Sequence, residues 1–462
     1  MRLLDTGEPV WDVRFDEKGG LTAPARNVLL EEVAARGVTD LFVFSHGWGT
    51  SEQGARAMYD AMFPLMREAA QGTDALATIG FAGIYWPSLW FPDTPATVAV
   101  AGGIQADDGG ALQDDSGSGA LSGAEIADSL ASGYTDPQQQ QVILEIGRLI
   151  DEGAAAAAAP DPSDHESPAD QEARIARIHA LVRSLAPAYP DGAGDEAGED
   201  AGESALLLSE NPKDDYQRVA DTFGTTAAEG APQGLGDWFR KALNGAKDAV
   251  RVLSYSTMKV RAGDIGRVGL GPLLSQLHVG APDLRVHLLG HSFGARLVSF
   301  ALAGVGEADA SPVASLLLLQ GAFSHWSFSH PQDNPFARPG PLHQYADRVH
   351  GPLVATYSVF DWAVCQWYPK ASFLARQDLE AEDVGRWDGM GADGYQAVNP
   401  AADIAMPQDG GTNYSFTAGT FYRVDCAEVI NDVKQSAFAG AHSDIRKRPV
   451  AELCVAAAAA HA

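Results

Sequence analysis

Short apolar runs alternate with amphipathic segments along the first hundred residues. PVWDVRF (9–15), TDLFVFSHG (39–47) and ALATIGFAGIYWPS (75–88) have the composition of buried strands. The segments between them, TAPARNVLLEEVAARG and SEQGARAMYDAMFPLMREAA, repeat apolar residues at helical spacing, and Thr22 precedes the first as a candidate N-cap. This strand–helix–strand alternation predicts an α/β protein with a mostly parallel central sheet and helices on both faces.

The alternation stops near residue 101 and resumes near residue 236. Two separate helices are predicted over 236–255 and 263–279, and a further helix over 295–306. Strands are predicted in LRVHLLG (284–290), VASLLLLQG (313–321), GPLVATYSVFD (351–361) and TFYRVDCAEV (420–429), and an irregular stretch over 363–418. We therefore expect a single domain, 1–462, interrupted by an insertion over 101–235.

The insertion is rich in Gly, Ala, Asp, Glu, Ser and Pro. Amphipathic helices are predicted near QQQQVILEIGRLID (138–151) and DQEARIARIHALVRSLA (170–186). The segments DEGAAAAAAPDPSDHESPAD (151–170) and YPDGAGDEAGEDAGESA (189–205) offer little apolar surface to bury, so we expect them to be mobile. The interpretation is a partly helical, partly disordered insertion, which either acts as a lid over the site or is a solvated excursion that only adds charge and solubility.

Charge narrows the range of partners. The formal net charge is −29, and the segment 101–230 holds 26 Asp and Glu against six Lys and Arg. So acidic a protein repels nucleic acid and anionic membranes. No run approaches 18 apolar residues, the N-terminus lacks a signal-peptide pattern, and three cysteines without CxxC spacing indicate unpaired thiols. We expect a cytoplasmic protein without a membrane span.

The segment GHSFG (290–294) lies between a predicted strand and a predicted helix. It matches the G-x-S-x-G nucleophile elbow, in which a strained turn exposes the serine hydroxyl at the carboxyl edge of a sheet. Gly290 and Gly294 fit this turn because side chains there would collide with the neighbouring strand and helix. Ser292 is therefore the candidate nucleophile.

A serine nucleophile needs a base and an orienting carboxylate, which in sheets with this elbow follow in the chain order Ser, Asp or Glu, His. Asp361 ends the strand over 351–361 and is the candidate acid, with Asp333 and Asp347 as rivals. His442 is the one histidine after the last predicted strand apart from the terminal His461, and it is the candidate base.

The oxyanion formed on acyl transfer needs two backbone donors. One is predicted at the amide of Phe293, directly after the nucleophile. The other is predicted at the amide of Trp48, in the loop FSHGWGTS after an apolar strand, where Gly47 permits a tight turn. His46 precedes the serine, so we interpret it as fixing this loop by hydrogen bonding.

These motifs together resemble the α/β-hydrolase superfamily. LFVFSHGWGTSEQGARAMYD, GIYWPS, GHSFGARL and GAHSDI are similar to its bacterial esterase- and lipase-like branch, over residues 1–100 and roughly 236–450. The resemblance implies an α/β-hydrolase fold, a Ser-Asp-His triad and hydrolysis of an acyl ester, without a metal ion or organic cofactor. The insertion has no counterpart in compact members.

The predicted function is therefore a carboxylic ester hydrolase with an apolar small-molecule acyl substrate. Aromatic residues in the loops expected at the catalytic edge support an apolar pocket. They are Trp48, Tyr85, Trp86, Trp90, Phe91, Trp326, Phe328, Trp362, Trp367 and Tyr368. Two alternatives stay open: an amidase or thioesterase with the same triad, and a non-catalytic protein of this fold whose acidic insertion binds a basic partner.

Overall fold

The structure is a computed structural model that describes residues 1–88, 121–131, 133–186, 211–223, 237–335, 337–368, 388–411, 413–436 and 439–460. The strands in this part of the chain are β1 (Arg2–Leu3), β2 (Pro9–Arg14), β3 (Asp40–Ser45), β4 (Ile79–Tyr85), β5 (Arg285–His291), β6 (Val313–Leu319), β7 (Leu353–Tyr357), β8 (Ala401–Ala405) and β9 (Phe421–Asp425). They form one sheet in the order β1-β2-β4-β3-β5-β6-β7-β9-β8. Every neighbouring pair is parallel except β1 with β2, so the predicted α/β class and mostly parallel sheet are confirmed.

The helices are α1 (Ala23–Ala35), α2 (Glu52–Ala69), α3 (Gly123–Ala131), α4 (Pro137–Ala157), α5 (Pro168–Ser184), α6 (Pro212–Phe223), α7 (Asp237–Asp264), α8 (Gly271–Gly280), α9 (Phe293–Gly304), α10 (Met390–Asp393) and α11 (Arg448–Ala459). Shorter 3₁₀ or π segments are Pro162–Asp164, Ile265–Leu270, Ala308–Ala310, His343–Arg348, Ala363–Trp367 and Val433–Gln435. None of the described helices has the length and apolar content needed to cross a membrane.

Side chains alternate between two cores, one on each face of the sheet. In β3, Leu41 and Val43 join the core beneath α1, α8 and α9, while Phe42 and Phe44 join the core with α2 and α11. The period-2 alternation of a strand distributes its side chains in this way, so a strand covered on both faces is apolar throughout. The predicted helices on both faces are therefore present.

Part of the segment 101–235 contributes to the first of these cores. The two helices predicted within it are confirmed as α4 and α5, and α3, α6 and α7 pack with them. Ile146, Ile178 and Leu243 belong to the same apolar cluster as Val286 of β5. The segment 151–170, which we expected to be mobile, instead holds the end of α4 and the start of α5, where Ser167 caps the helix by accepting the amide of Asp170. The segment 189–205 lies outside the described residues.

Two elements differ from the prediction. The two helices expected over 236–255 and 263–279 are joined, because α7 continues through Met258 and Ala262, both buried at helical spacing. Within the stretch expected to be irregular, β8 pairs with β9 at the edge of the sheet, and its half-exposed residues carry no strong apolar signal. The alanine-rich C-terminus forms α11, which is buried along most of its length.

Candidate active site

The carboxyl ends of β3, β5, β6 and β7 lie side by side in the parallel sheet, and the predicted site residues follow three of them. Gly47 and Trp48 lie two and three residues beyond β3, Ser292 directly follows β5, and Asp361 lies four residues beyond β7. His442 lies in the segment after β9, the strand that pairs with β7. The topology therefore brings the residues proposed from the sequence to one edge.

Ser292 occupies a strained corner between β5 and α9. Its backbone has φ 56° and ψ −124°, a left-handed conformation that non-glycine residues rarely adopt. A Cβ atom at Gly290 would lie 2.3 Å from the carbonyl oxygen of Gly294, and one at Gly294 would lie 2.2 Å from the carbonyl oxygen of Ser45. The predicted steric reason for both glycines is therefore present in the structure.

Asp361 and His442 form a buried pair. The Nδ1–H of His442 donates to Oδ2 of Asp361 at 2.8 Å, and Asp361 is fully buried. Their segments also pair through the backbone, because the amide of Ala441 donates to the carbonyl of Phe360 at 2.9 Å. Between them, Gly440 has φ +58°, and a Cβ atom there would lie 2.4 Å from the same carbonyl oxygen. This close backbone approach sets the carboxylate and the imidazole in contact.

His291 links His442 to the corner at Ser292. Its Nε2–H donates to the backbone carbonyl of His442 at 2.9 Å, and the two imidazole rings lie 4.8 Å apart. Burial, together with the neighbouring His442, lowers the pKa of His291 to about 3, so its ring is neutral at physiological pH. His442 is thus held beside the residue that precedes Ser292. Sequence reasoning gave His291 no role.

The predicted oxyanion residues meet around Ser292. Phe293 is the first residue of α9, and the loop after β3 approaches so closely that a Cβ atom at Gly47 would lie 2.5 Å from Cβ of Ser292. The Trp48 and Phe293 rings lie 6.2 Å apart. Both amides predicted as oxyanion donors therefore belong to backbone that borders the serine, and the start of a helix favours negative charge.

His46 holds the loop between β3 and α2. Its Nδ1–H donates to the carbonyl of Gly47 at 2.9 Å, its Nε2 accepts the amide of Trp86 at 3.3 Å, and its ring stacks on the Trp86 indole at 5.4 Å. Burial lowers the pKa of His46 to about 4, which keeps the ring neutral and suits one donor and one acceptor nitrogen. The loop-fixing interpretation of His46 agrees with these contacts.

The rivals for the acid lie at the opposite edge of the sheet. Asp333 and Asp347 line a cavity of about 560 Å³ beside Leu353 and Phe421, the first residues of β7 and β9. His330 and His343 line the same cavity. These four residues are therefore not brought to the edge that holds Ser292. Among the described residues, no group of His, Cys, Asp and Glu is arranged to hold a metal ion.

The aromatic residues expected around the site divide into several groups. Trp48 packs near Phe293, and Tyr368 contacts Tyr255 at 5.8 Å between rings, whereas Phe328 lines the cavity at the other edge. Tyr85 was expected to line the pocket, and its ring instead contacts the guanidinium of Arg14. Trp90, Phe91 and the Trp367 side chain lie outside what the structure describes.

Tyr255 of α7 is a wall residue that sequence reasoning missed. Its ring lies 5.3 Å from that of Phe293 and 6.3 Å from that of Trp48, so α7 packs against the two residues predicted to supply the oxyanion donors. The amphipathic pattern of α7 indicated a helix but not which face meets the site.

Comparison of the chain with protein-family models, curated proteins and solved structures gave no match.

Proposed function

We propose that the chain is a serine hydrolase of the α/β-hydrolase fold that cleaves carboxylic esters. The observation that carries this proposal is the strained backbone of Ser292 at the end of β5, beside a buried His442–Asp361 pair. Such strain persists where the surrounding structure enforces it, and it concentrates at functional sites. A serine, a base and an orienting carboxylate at neighbouring strand ends supply the parts of nucleophilic acyl transfer.

In the proposed reaction, Nε2 of His442 takes the proton of the Ser292 hydroxyl while Oγ attacks the ester carbonyl. Asp361 accepts the Nδ1–H of His442, which keeps Nε2 unprotonated before attack and stabilises the imidazolium formed afterwards. The imidazolium then gives its proton to the departing alcohol, leaving an acyl group on Ser292. Water, deprotonated by the same histidine, releases the acid and regenerates the hydroxyl.

The proposed oxyanion hole uses the amides of Phe293 and Trp48. Support comes from the contact of the Gly47 backbone with Ser292 and from the position of Phe293 at the start of α9. The neutral His46 ring stabilises this loop without placing a second positive charge beside the site. Fixed donors of this kind typically contribute about 10²- to 10³-fold in rate.

An apolar acyl group is the substrate class that the site favours. Tyr255, Phe293 and Tyr368 are buried and contact one another through their rings, and Trp48 packs on two of them. Aromatic walls with few polar groups bind apolar ligands because binding removes apolar surface from water. We therefore propose p-nitrophenyl esters of short and medium chains as first substrates.

The test is hydrolysis of p-nitrophenyl butyrate by the wild type, Ser292→Ala and Ser299→Ala. Ser299 is a matched control, because it is a fully buried serine of the same helix. We expect turnover by the wild type and Ser299→Ala, and its loss in Ser292→Ala with unchanged thermal unfolding. Wild-type-like turnover by a folded Ser292→Ala protein would overturn the assignment, and a wild type without turnover on esters, amides or thioesters would favour a non-catalytic role.

A further inference from the structure

A second strained corner lies directly beside that of Ser292. Gln320 follows β6, the strand between β5 and β7, and has φ 50°. Ser292 and Gln320 are two of the four non-glycine residues with positive φ in the described part of the chain. The corners are joined, because the amide of Ser292 donates to the carbonyl of Leu319 at 3.1 Å. Gln320 is fully buried, which is unusual for a glutamine.

The Gln320 side chain reaches the proposed acid. Its Nε2–H donates to Oδ2 of Asp361 at 2.9 Å, and this is the oxygen that accepts Nδ1–H of His442 at 2.8 Å. The other oxygen, Oδ1, accepts the amide of Val364 at 3.2 Å. The carboxylate therefore receives donors on both oxygens, which prevents it from rotating away from the imidazole.

The orientation of the Gln320 amide is itself fixed. The hydroxyl of Thr356 in β7 donates to Oε1 of Gln320 at 2.9 Å and accepts the backbone amide of Gln320 at 3.0 Å. The thiol of Cys426 lies 3.4 Å from the same Oε1. Because both neighbours approach the carbonyl end of the side chain, the NH₂ group must face Asp361. A strained backbone and two anchoring contacts thus serve to direct one N–H bond at the carboxylate.

We propose that Gln320 is a positioning residue that holds the Asp361 carboxylate directed at His442. The inference rests on the proposed function, since it assigns Gln320 to the same acid–base pair. Gln320 exchanges no proton and forms no bond to substrate. Its contribution grows as His442 becomes an imidazolium, because a misdirected carboxylate would then face the new positive charge less closely.

Two substitutions separate positioning from space filling. Gln320→Met keeps the length of the side chain without its N–H, and we expect kcat for p-nitrophenyl butyrate to fall about 10- to 100-fold with KM little changed, as for loss of a hydrogen bond to a charged group. Gln320→Glu places two carboxyls together, which share one proton at low pH. The shared proton restores a donor, so the activity of Gln320→Glu relative to wild type should depend on pH, whereas that of Gln320→Met should not.

Gln171→Met is the matched control. Gln171 is a buried glutamine of α5 that donates to the carbonyl of Glu166 at 3.2 Å, and we expect its replacement to leave kcat unchanged. Thr356→Val offers a second route if Gln320→Met does not fold, with a smaller loss of kcat because Gln320 remains but is less well oriented. Wild-type kcat and pH profiles in folded Gln320→Met and Gln320→Glu would overturn the inference. Those results would leave the proposed function standing if the wild type still turned over.

Discussion

Two sets of serine, histidine and aspartate residues lie in or beside the sheet, and we assign the proposed reaction to one of them. At the carboxyl edge, Ser292 follows His291, whose ring donates to the backbone carbonyl of His442, and His442 pairs with Asp361. Deep in the sheet, Nδ1 of His287 lies 3.0 Å from the hydroxyl of Ser315, and its Nε2 lies 3.2 Å from Oδ1 of Asp40. The two sets have the same composition, and each contains a histidine–aspartate contact, so the difference between them must lie in their surroundings.

The inner set belongs to the regular ladder of the sheet. Ser315, His287 and Asp40 lie within β6, β5 and β3, and all three have no exposed surface. Arg285 closes the set by donating to both oxygens of Asp40 at 2.8 Å. Burial alone would raise the pKa of Asp40, but hydrogen bonds from His287 and Arg285 outweigh it and hold the pKa below its usual range. The inner set therefore stabilises the fold.

The outer set lies beyond the ends of the strands. Ser292 leaves the ladder through a left-handed corner, the Gly47 backbone lies against it, and Tyr255 of α7 packs against Phe293, the residue that follows it. On the proposed assignment, a hydrogen-bonded serine and histidine are insufficient for nucleophilic catalysis. A nucleophile also needs a position that substrate can reach and amide donors for the developing charge.

The loss of kcat/KM should differ most between variants of the two serines, Ser292 and Ser315. Ser292→Ala should lower kcat/KM for p-nitrophenyl butyrate by about 10³-fold or more, because the nucleophile is lost. Ser315→Ala should leave kcat/KM within about twofold and cost about 1 kcal/mol of unfolding free energy, because it removes one buried hydrogen bond. Steady-state kinetics and urea unfolding measure both, and equal kinetic losses in the two variants would erase the distinction.

The next effect divides the base from the acid. His442→Ala should lower kcat nearly as much as Ser292→Ala. We expect kcat of Asp361→Asn to be about tenfold or more above that of His442→Ala, because the carboxylate orients the base without taking its proton. Single-turnover acylation rates give the cleanest measurement. A large loss in Asp333→Ala, with Asp361→Asn unaffected, would move the acid to the other edge of the sheet.

Replacement of Asp40 tests whether the inner set contributes to stability and not to catalysis. Asp40→Asn breaks the ion pair with Arg285 and should cost about 3 kcal/mol of unfolding free energy, as for disruption of a buried pair. Because Asp40 lies at the amino end of β3, kcat at 20 °C should stay within about twofold of wild type. Urea unfolding and ester kinetics on one preparation would check this, and a kcat loss matching that of Asp361→Asn would contradict it.

Acid should destabilise the fold through its buried neutral histidines. Burial lowers the pKa of His46 to about 4 and of His291 to about 3, against about 6.5 in the unfolded chain. Between these values the unfolded state binds more protons, so stability is complete above about pH 6.5 and falls as pH drops towards 4.

Urea unfolding at pH 7.5, 6 and 5 measures this dependence. Losses of about 2 kcal/mol for each of the two histidines are expected by pH 5. His291→Gln should flatten the dependence, whereas replacement of the exposed His165 with glutamine should not. An unfolding free energy constant across this range would show that these rings are not buried as neutral imidazoles.

The smallest effect concerns substrate choice. Tyr255→Ala removes the ring of α7 that contacts Phe293 and Trp48, and we expect a two- to tenfold change in the ratio of kcat/KM values for octanoate and acetate esters, the scale on which apolar pockets discriminate. Tyr216→Ala is a control within the insertion, since Tyr216 is also buried there. The same ratio in wild type and Tyr255→Ala would place the acyl group elsewhere.

Local signals predicted much of the fold. The apolar runs of β3, β5 and β6 and the glycines around Ser292 are short-range features, so their strands and the strained corner could be inferred from neighbouring residues. The positions of Asp361 and His442 followed from the order of loops along a parallel sheet. By contrast, β8 is a half-exposed edge strand, and nothing in its composition distinguishes it from a loop.

Contacts between distant residues could not be predicted in this way. Gln320 lies at the end of an apolar strand and precedes a glycine, which is an ordinary place for a polar residue. Its proposed role depends on Thr356 and Asp361, which lie 36 and 41 residues away. The contacts of Tyr255 with Phe293 and Trp48 depend on which face of α7 meets the sheet. Ser315 and His287 are neighbours because of the register between β5 and β6. Since the sequence does not give that register, it could not show whether this pair is structural or reactive.

The most direct test of the comparison is to map where a fluorophosphonate probe reacts. The probe should phosphonylate the intact protein once, and peptide mass spectrometry should locate the adduct on Ser292 within the segment GHSFG. Prior treatment with p-nitrophenyl butyrate should slow the reaction, and Ser315 should remain unmodified. An adduct on Ser315 or another serine, or no adduct on a folded wild-type protein, would contradict the assignment of Ser292 as the nucleophile.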